Sequence, residues 1–286
     1  MLQVVTYLYP DEIQRLGAAL LAAGWAVSAD SKRPLIAQNP DTRVYVFSTG
    51  KLLAQGRGVE VFLDSYLKEI VCARYGVVTA GSDESGKGDY FGPLVVAACR
   101  LDRFTAERML ALSVQDSKAV RDERVEETAK AVADALYGAY SVVTIGNRRY
   151  NELVSRMRSV NRLLEWAHAK ALRAVIADTP VGRVIVDRFG DPQRLRQRLP
   201  SDEPFELIVV ENGERELPVA AASILARAQF LKQLRNLSQQ LGITLPKGAG
   251  PAVISAGREL VKRYGQQVLQ QCAKMHFKTT RKVLYG

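Results

Sequence analysis

Histidine occurs only twice in the 286 residues, at His168 and His276, and cysteine only three times, at Cys72, Cys99 and Cys272. Cysteines this scattered, and odd in number, have neither zinc-ligand spacing nor the pattern of a disulfide framework. They are expected to be buried thiols of a reduced, cytoplasmic protein. No run of about 18 or more apolar residues is present, so no transmembrane span is expected. The opening Met1-Leu2-Gln3 has no basic flank, so no secretory signal is read there. Internal repeats and low-complexity segments are also lacking.

What is there is ordinary for a globular chain of one or two domains: 47% apolar and 24% charged residues. The formal charge of +10 is unevenly spread. Residues 1–75 hold 8 Lys/Arg against 7 Asp/Glu, whereas residues 227–286 hold 11 against a single acid, Glu259. Such a block is the footprint of a polyanion partner. Charge alone does not separate nucleic acid from an anionic membrane, nor either from a solvated helical face.

The first 70 or so residues read as a small α+β unit. Residues 3–9 (QVVTYLY) are strand-like. Residues 11–24 carry Ile13, Leu16, Leu20 and Leu21 on one helical stripe behind Pro10. Residues 25–28 can form a strand, 42–48 and 51–55 a hairpin about Thr49-Gly50, and 58–70 an amphipathic helix. Residues 72–77 are the expected joint. Beyond it, strands are expected at 77–82, 91–101, 141–145, 183–187 and 205–210, with helices at 161–178, 218–237 and within 250–273. This mixture predicts an α/β class, a mixed sheet flanked by helices.

Residues 81–93 (GSDESGKGDYFGP) carry the strongest chemical signal. Asp83 and Glu84 sit at the end of an apolar strand, and Gly86 and Gly88 flank Lys87. Neighbours on a regular strand point to opposite faces. A shared site therefore requires the strand to end or bulge here, which the glycines permit. Clustered carboxylates repel each other and are most easily kept together by a hard divalent cation such as Mg²⁺. An isolated acidic pair would otherwise be a surface turn. The Gly-Lys-Gly string lacks the spacing of a Walker loop, but its backbone amides beside an ammonium suit a nucleic-acid backbone. Asp187 ends the buried run Val184-Ile185-Val186, where open α/β sheets place their sites; a cap or turn is its plainer role.

Together these residues are recognisable. Asp83–Gly88 (DESGKG) resembles the first motif of the type 2 ribonucleases H, D-E-x-G-[RK]-G, with the lysine of the ribonuclease HIII branch. Asp116-Ser117-Lys118 is similar to that family's D-S-K element, and Val186-Asp187 to its third-carboxylate strand. Residues 220–227 (AAASILAR) resemble its A-A-A-S-I-x-A-[RK] helix, and residues 276–280 (HFKTT) its H-F-x-x-T segment. Residues 1–75 resemble the branch's TATA-binding-protein-like domain.

The resemblance implies a ribonuclease H-like catalytic domain over 77–286 and a substrate-binding domain over 1–72. It implies four acids holding two Mg²⁺ or Mn²⁺ ions: Asp83, Glu84, Asp187 and a fourth about ten residues before Ser223. Gly213 occupies that position, so Glu214 is the expected ligand, with Glu211 and Glu216 as rivals. The implied reaction is endonucleolytic hydrolysis of the RNA strand of RNA/DNA hybrids, leaving 5′-phosphate and 3′-hydroxyl ends. Substrate contacts are expected from Gly86, Lys87, Gly88, Ser117 and Lys118, and a grip on the hybrid from Lys32, Arg33, Arg43, Lys51 or Arg57. His276 is at least as well suited to structure, and no general base is assigned. A monomer is expected, with no membrane partner. Ribonuclease HII-like incision at single ribonucleotides in DNA, or non-catalytic hybrid binding, remain the alternatives.

Overall fold

The computed structural model describes residues 3–114, 121–177, 179–200 and 204–286. The chain first builds β1 (Gln3–Tyr7), α1 (Pro10–Ala22), β2 (Ala26–Ser28), β3 (Leu35–Gln38), β4 (Thr42–Val46) and β5 (Lys51–Gly56). These strands form an antiparallel sheet in the order β1-β5-β4-β3-β2. Alternation sets its faces: Val4 and Thr6 of β1, and Thr42, Val44 and Val46 of β4, turn inward. Leu16 and Leu20 of α1 cover them. The expected helix at 58–70 is a continuous helical run: α2 (Val59–Phe62), a wider π-helical turn (Leu63–Leu67) and α3 (Lys68–Cys72). A tight 3₁₀ turn, Ala73–Gly76, leads out of it.

The second sheet has the order β10-β9-β6-β7-β8. Its strands are β6 (Thr79–Ser85), β7 (Leu94–Leu101), β8 (Tyr140–Ile145), β9 (Arg183–Asp187) and β10 (Glu206–Val210). β6, β9 and β10 run parallel, and β7 is antiparallel to both its neighbours. Between β7 and β9 come α4 (Arg103–Ala111), α5 (Asp122–Ala135), α6 (Asn147–Met157) and α7 (Val160–Ile176). α8 (Pro192–Arg198) follows β9, and α9 (Leu217–Leu241), α10 (Pro251–Tyr264), α11 (Leu269–Cys272) and α12 (Lys278–Tyr285) close the chain.

Two helices fix the faces of this sheet. α9 lies so close to β6 that a Cβ on Gly81 would stand 2.8 Å from the Val219 nitrogen, which explains the glycine. α7 covers the opposite face, packing Leu164, Ala167 and Leu172 on Val96, Ala98, Val184 and Val186. The apolar cluster under α9 runs without a break into the first sheet, from Val4 to Val283. The three cysteines are buried and unpaired. Among the described residues, no helix is long and apolar enough to cross a membrane.

Candidate active site

β6 does not end or bulge at its two acids. It stays regular to Ser85, with Asp83 opposite Ala97 and Glu84 opposite Val96. Asp83 therefore faces α9 and Glu84 faces α7. What opens the site is the other neighbour: β9 pairs with β6 only as far as Ser82–Val186. Asp83 and Asp187 are the next residues on these two parallel strands and project from the same face, across a strand spacing of about 4.8 Å. Glu84 reaches the same open corner from the other face. The bulge expected from the sequence is absent: the carboxyl ends of two parallel interior strands, not a kink, set Asp83 and Asp187 side by side.

Burial, then the charge of Glu84 and more weakly that of Asp187, push the Asp83 carboxyl up to about 7. They do so against hydrogen bonds from the Ser223 hydroxyl and the Glu84 amide. Burial also works against the charge on Glu84, but His168 and Lys87 outweigh it and hold that carboxyl at about 2. His168 Nε2 lies 3.2 Å from Glu84 Oε2, and Lys87 Nζ 3.1 Å from Oε1. Asp187 Oδ1 accepts from the amides of Arg188 at 2.9 Å and Gly213 at 3.3 Å. Among the described residues, no three His, Cys, Asp or Glu side chains are grouped closely enough to hold a metal ion by themselves.

The three rivals for the fourth acid separate cleanly. Glu211 is exposed and paired with Arg188 at 3.4 Å. Glu216 is 5% exposed, and its carboxylate accepts from the Tyr9 hydroxyl. Glu214 is half-buried on the 3₁₀ turn Gly213–Arg215, and no hydrogen bond or ion pair among the described residues engages its carboxylate. Gly213 is tightly packed: a Cβ there would stand 3.1 Å from Asp187 Cβ and 3.1 Å from Val219.

The Gly-Lys-Gly turn follows directly. Gly86 adopts φ +87° against Phe230 and the Pro93 carbonyl, whereas Gly88 has open space around it. The turn is braced from the C-terminal end. The Asp89 carboxylate accepts from the Gly248 amide at 2.6 Å, and buried Lys274 donates to the carbonyls of Asp89 at 2.9 Å and Gly92 at 2.6 Å. Thr280 donates to the Tyr90 hydroxyl at 3.3 Å, and Phe277 packs on the Tyr90 ring. His276 is exposed and lies against Tyr150 and Phe277. Asp116, Ser117 and Lys118 lie outside the described residues.

The C-terminal cations are less free than their sequence suggests. Arg227 and Lys247 pair with Asp122, and Arg235 with Glu126, both acids on α5. Arg263 pairs with Glu259, and Lys274 is buried. In the first sheet, Arg33 is tied to Asp30 and Arg57 to Asp41.

Residues 80–280 match the family profile described as ribonuclease HII. The chain belongs to the ribonuclease HII family. Ribonuclease HIII of Protochlamydia amoebophila is 31% identical over 98% of this chain and 96% of its own. Ribonuclease HIII of Chlamydia felis is 34% identical over 85% of this chain and 84% of its own. Among solved structures, Bst-RNase HIII in complex with Mn²⁺ superposes with a TM-score of 0.70 and 27% identity, covering 99% of this chain and 98% of its own. The ribonuclease H2 of Pyrococcus horikoshii OT3 covers 96% of its own chain but only 72% of this one, with a TM-score of 0.63 and 25% identity. The likeness to ribonuclease HIII thus extends along the whole chain, and membership of this family makes the protein a ribonuclease H.

Sequence reasoning missed three residues of this candidate site. His168 carries no local signal, because its partners Ser82 and Glu84 lie 86 and 84 residues away. Ser223 was legible only as part of a motif, not as a donor to Asp83. Lys274 reads as one more basic residue of the tail, although its ammonium is turned inward.

Proposed function

We propose that the protein hydrolyses the RNA strand of RNA/DNA hybrids endonucleolytically, with two divalent ions, Mg²⁺ or Mn²⁺, held by Asp83, Glu84, Asp187 and Glu214. The products carry 5′-phosphate and 3′-hydroxyl ends. The observation that carries this reading is the side-by-side exit of Asp83 and Asp187 from one face of the sheet, with Glu84 at the same corner.

The donor set fits such ions. All four side chains offer hard oxygen atoms, and Asp83 is charged only reluctantly until a cation neutralises its neighbours. Mg²⁺ usually takes one or two carboxylates and completes its shell with water and substrate phosphate oxygens. Among the described residues no three such side chains are grouped closely enough to hold an ion alone, so water and phosphate oxygens would have to complete the shell. When bound, the ions would activate a water and neutralise charge at the scissile phosphate.

The chain's own residues do the rest. Ser223 and the Glu84 amide orient the Asp83 carboxylate, and Gly213 orients that of Asp187. His168 keeps Glu84 ionised and aimed. Backbone amides of exposed Lys87 and Gly88 would meet the ribose and its 2′-hydroxyl, the group that distinguishes RNA from DNA. Lys87 can exchange its Glu84 contact for a phosphate, and Ser117 and Lys118 of the D-S-K element are the further candidates for phosphate contacts. Residues 1–72 serve as the substrate-binding domain, with Lys32, Arg43 and Lys51 as its cations not tied to an acid among the described residues.

Cleavage of an end-labelled RNA/DNA hybrid tests the reading. Internal cuts in the RNA strand that need Mg²⁺ or Mn²⁺, stop with EDTA and vanish in Asp83→Asn are expected. A metal-independent cut, or full activity in Asp83→Asn, would refute it. Because the matched profile is that of ribonuclease HII, duplex DNA containing one ribonucleotide is the discriminating second substrate. Preferred incision there would replace the hybrid reading with the ribonuclease HII one.

A further inference from the structure

The turn that carries Glu214 is held at both ends, and one of the two holds comes from Tyr9, at the start of α1. On the catalytic side, Asn212 takes a left-handed conformation, and the Gly213 amide is bound to Asp187. Within the turn, the amides of Arg215 and Glu216 donate to the carbonyls of Asn212 at 3.1 Å and Gly213 at 2.9 Å. At the far end Glu216 caps α9, but its side chain makes no bond to that helix. It is turned instead to the hydroxyl of Tyr9, 207 residues away.

Tyr9 is itself locked. Its amide donates to Glu12 Oε2 at 2.8 Å, and its ring lies under the Arg74 guanidinium at 4.5 Å. Arg74 is paired with buried Glu12, with Nε 2.6 Å from Oε1, and donates to the Tyr7 carbonyl at 2.8 Å. The next residue, Tyr75, is buried and accepts the Leu217 amide at 3.2 Å, and Arg215 lies over the Tyr7 ring at 5.3 Å. Three consecutive residues of the catalytic segment, Arg215, Glu216 and Leu217, are thus each held by a tyrosine of the N-terminal part.

A buried carboxylate is costly unless it is paired or hydrogen-bonded. Glu216 could have satisfied its own helix N-terminus, where acids are favoured, yet it reaches across to Tyr9. Glu216 lies two residues beyond Glu214 and closes the same 3₁₀ turn, so a shift of one is passed to the other. Catalytic geometry is sensitive to shifts on the order of 1 Å. We infer that Tyr9, through Glu216, is a positioning residue for the metal site: the N-terminal part not only grips substrate but sets the place of Glu214. The inference rests on the reading of Glu214 as the fourth acid.

The test is Mn²⁺ binding without nucleic acid, followed by the loss of the free Mn²⁺ electron paramagnetic resonance signal, beside hybrid affinity measured in EDTA. Groups behind a metal ligand typically cost about 10–100-fold in metal affinity or activity when removed. Tyr9→Phe, which deletes one hydroxyl, should weaken Mn²⁺ binding by roughly tenfold and leave hybrid affinity in EDTA at the wild-type value. Glu216→Ala should reproduce that loss, and the double variant should be no worse than either single one. Glu216→Gln keeps an acceptor for Tyr9 and should bind Mn²⁺ normally.

Wild-type Mn²⁺ affinity in Tyr9→Phe, or a loss confined to hybrid affinity, overturns the inference. So does loss of Mn²⁺ binding in Glu216→Gln, which would make Glu216 a ligand itself. If Tyr9→Phe fails to fold, Glu216→Ala beside Glu216→Gln carries the same test. Glu214→Ala keeps the two readings apart. If it loses Mn²⁺ while Tyr9→Phe does not, positioning alone fails. If it binds Mn²⁺ normally while Tyr9→Phe does not, the fourth-acid reading fails and the tie acts on another ligand.

Discussion

His168 bridges two residues of one strand: its Nδ1 lies 2.8 Å from Ser82 Oγ and its Nε2 3.2 Å from Glu84 Oε2. Ser82 and Glu84 are alternate residues of β6 and so share the face covered by α7. The imidazole is buried and stacked on Phe189 at 4.0 Å, directly after Asp187-Arg188. One neutral tautomer satisfies both contacts, accepting from the serine hydroxyl and donating to the carboxylate. His168→Phe keeps the stacking and loses the donor. Turnover on a hybrid should fall by about 10–100-fold with the fold intact, and His168→Gln should recover part of it. Wild-type kcat in His168→Phe would show that Glu84 needs no such support.

The raised Asp83 carboxyl makes metal binding pH-dependent. A ligating carboxylate must be deprotonated, and in the metal-free protein this one titrates at about 7 rather than at its ordinary 3.8. The sign follows from linkage. With the folded value above the unfolded one, the stability Asp83 contributes is fully present below about 3.8 and is lost as pH rises through about 7. A bound cation restores it only where the group is charged. Mn²⁺ should therefore raise the melting temperature more at pH 8 than at pH 5.5, and its binding near pH 6 should release a proton. Calorimetry in buffers of different ionisation enthalpy reads that proton. A Mn²⁺ affinity independent of pH between 5.5 and 8 would remove Asp83 from the site.

Much of this architecture was legible, for identifiable reasons. Asp83, Glu84 and the two glycines are contiguous, and Asp187 ends an unbroken apolar strand, so local pattern carried them. β3 was missed because its four residues, LIAQ, are too short to show a period. α5 buries mainly Val125, Ala129 and Val132 among charges, and α8 buries only Leu195, so neither shows a broad apolar stripe. The regular course of β6 was not foreseeable, because where β9 stops pairing is a property of the sheet and not of either strand. Tyr9 and Glu216 lie 207 residues apart and meet only through packing.

The fourth acid can be decided by alanine substitution at three positions. Glu214→Ala should lower Mg²⁺-supported turnover by about 10²-fold, the scale of a misplaced or missing catalytic group. Glu211→Ala removes only an exposed contact to Arg188 and should leave both turnover and melting unchanged. Glu216→Ala removes the acceptor of the half-exposed Tyr9 hydroxyl and should lower stability by about 0.5–1.5 kcal/mol as well as activity. Full turnover in Glu214→Ala, measured under metal saturation, excludes it.

The two glycines around Lys87 should answer differently to the same substitution. At Gly86 a Cβ would stand 2.2 Å from the Pro93 carbonyl and 2.8 Å from the Phe230 ring, in a backbone at φ +87°. Left-handed strain and overpacking each cost about 1–3 kcal/mol, so Gly86→Ala should melt well below the wild type. At Gly88 nothing lies within 4 Å, so Gly88→Ala should fold and melt normally. That open space is where the hybrid backbone would approach, and there a methyl group should raise KM for the hybrid while melting stays unchanged. If Gly88→Ala cleaves with wild-type KM, recognition of the ribose has to be placed elsewhere than on this turn.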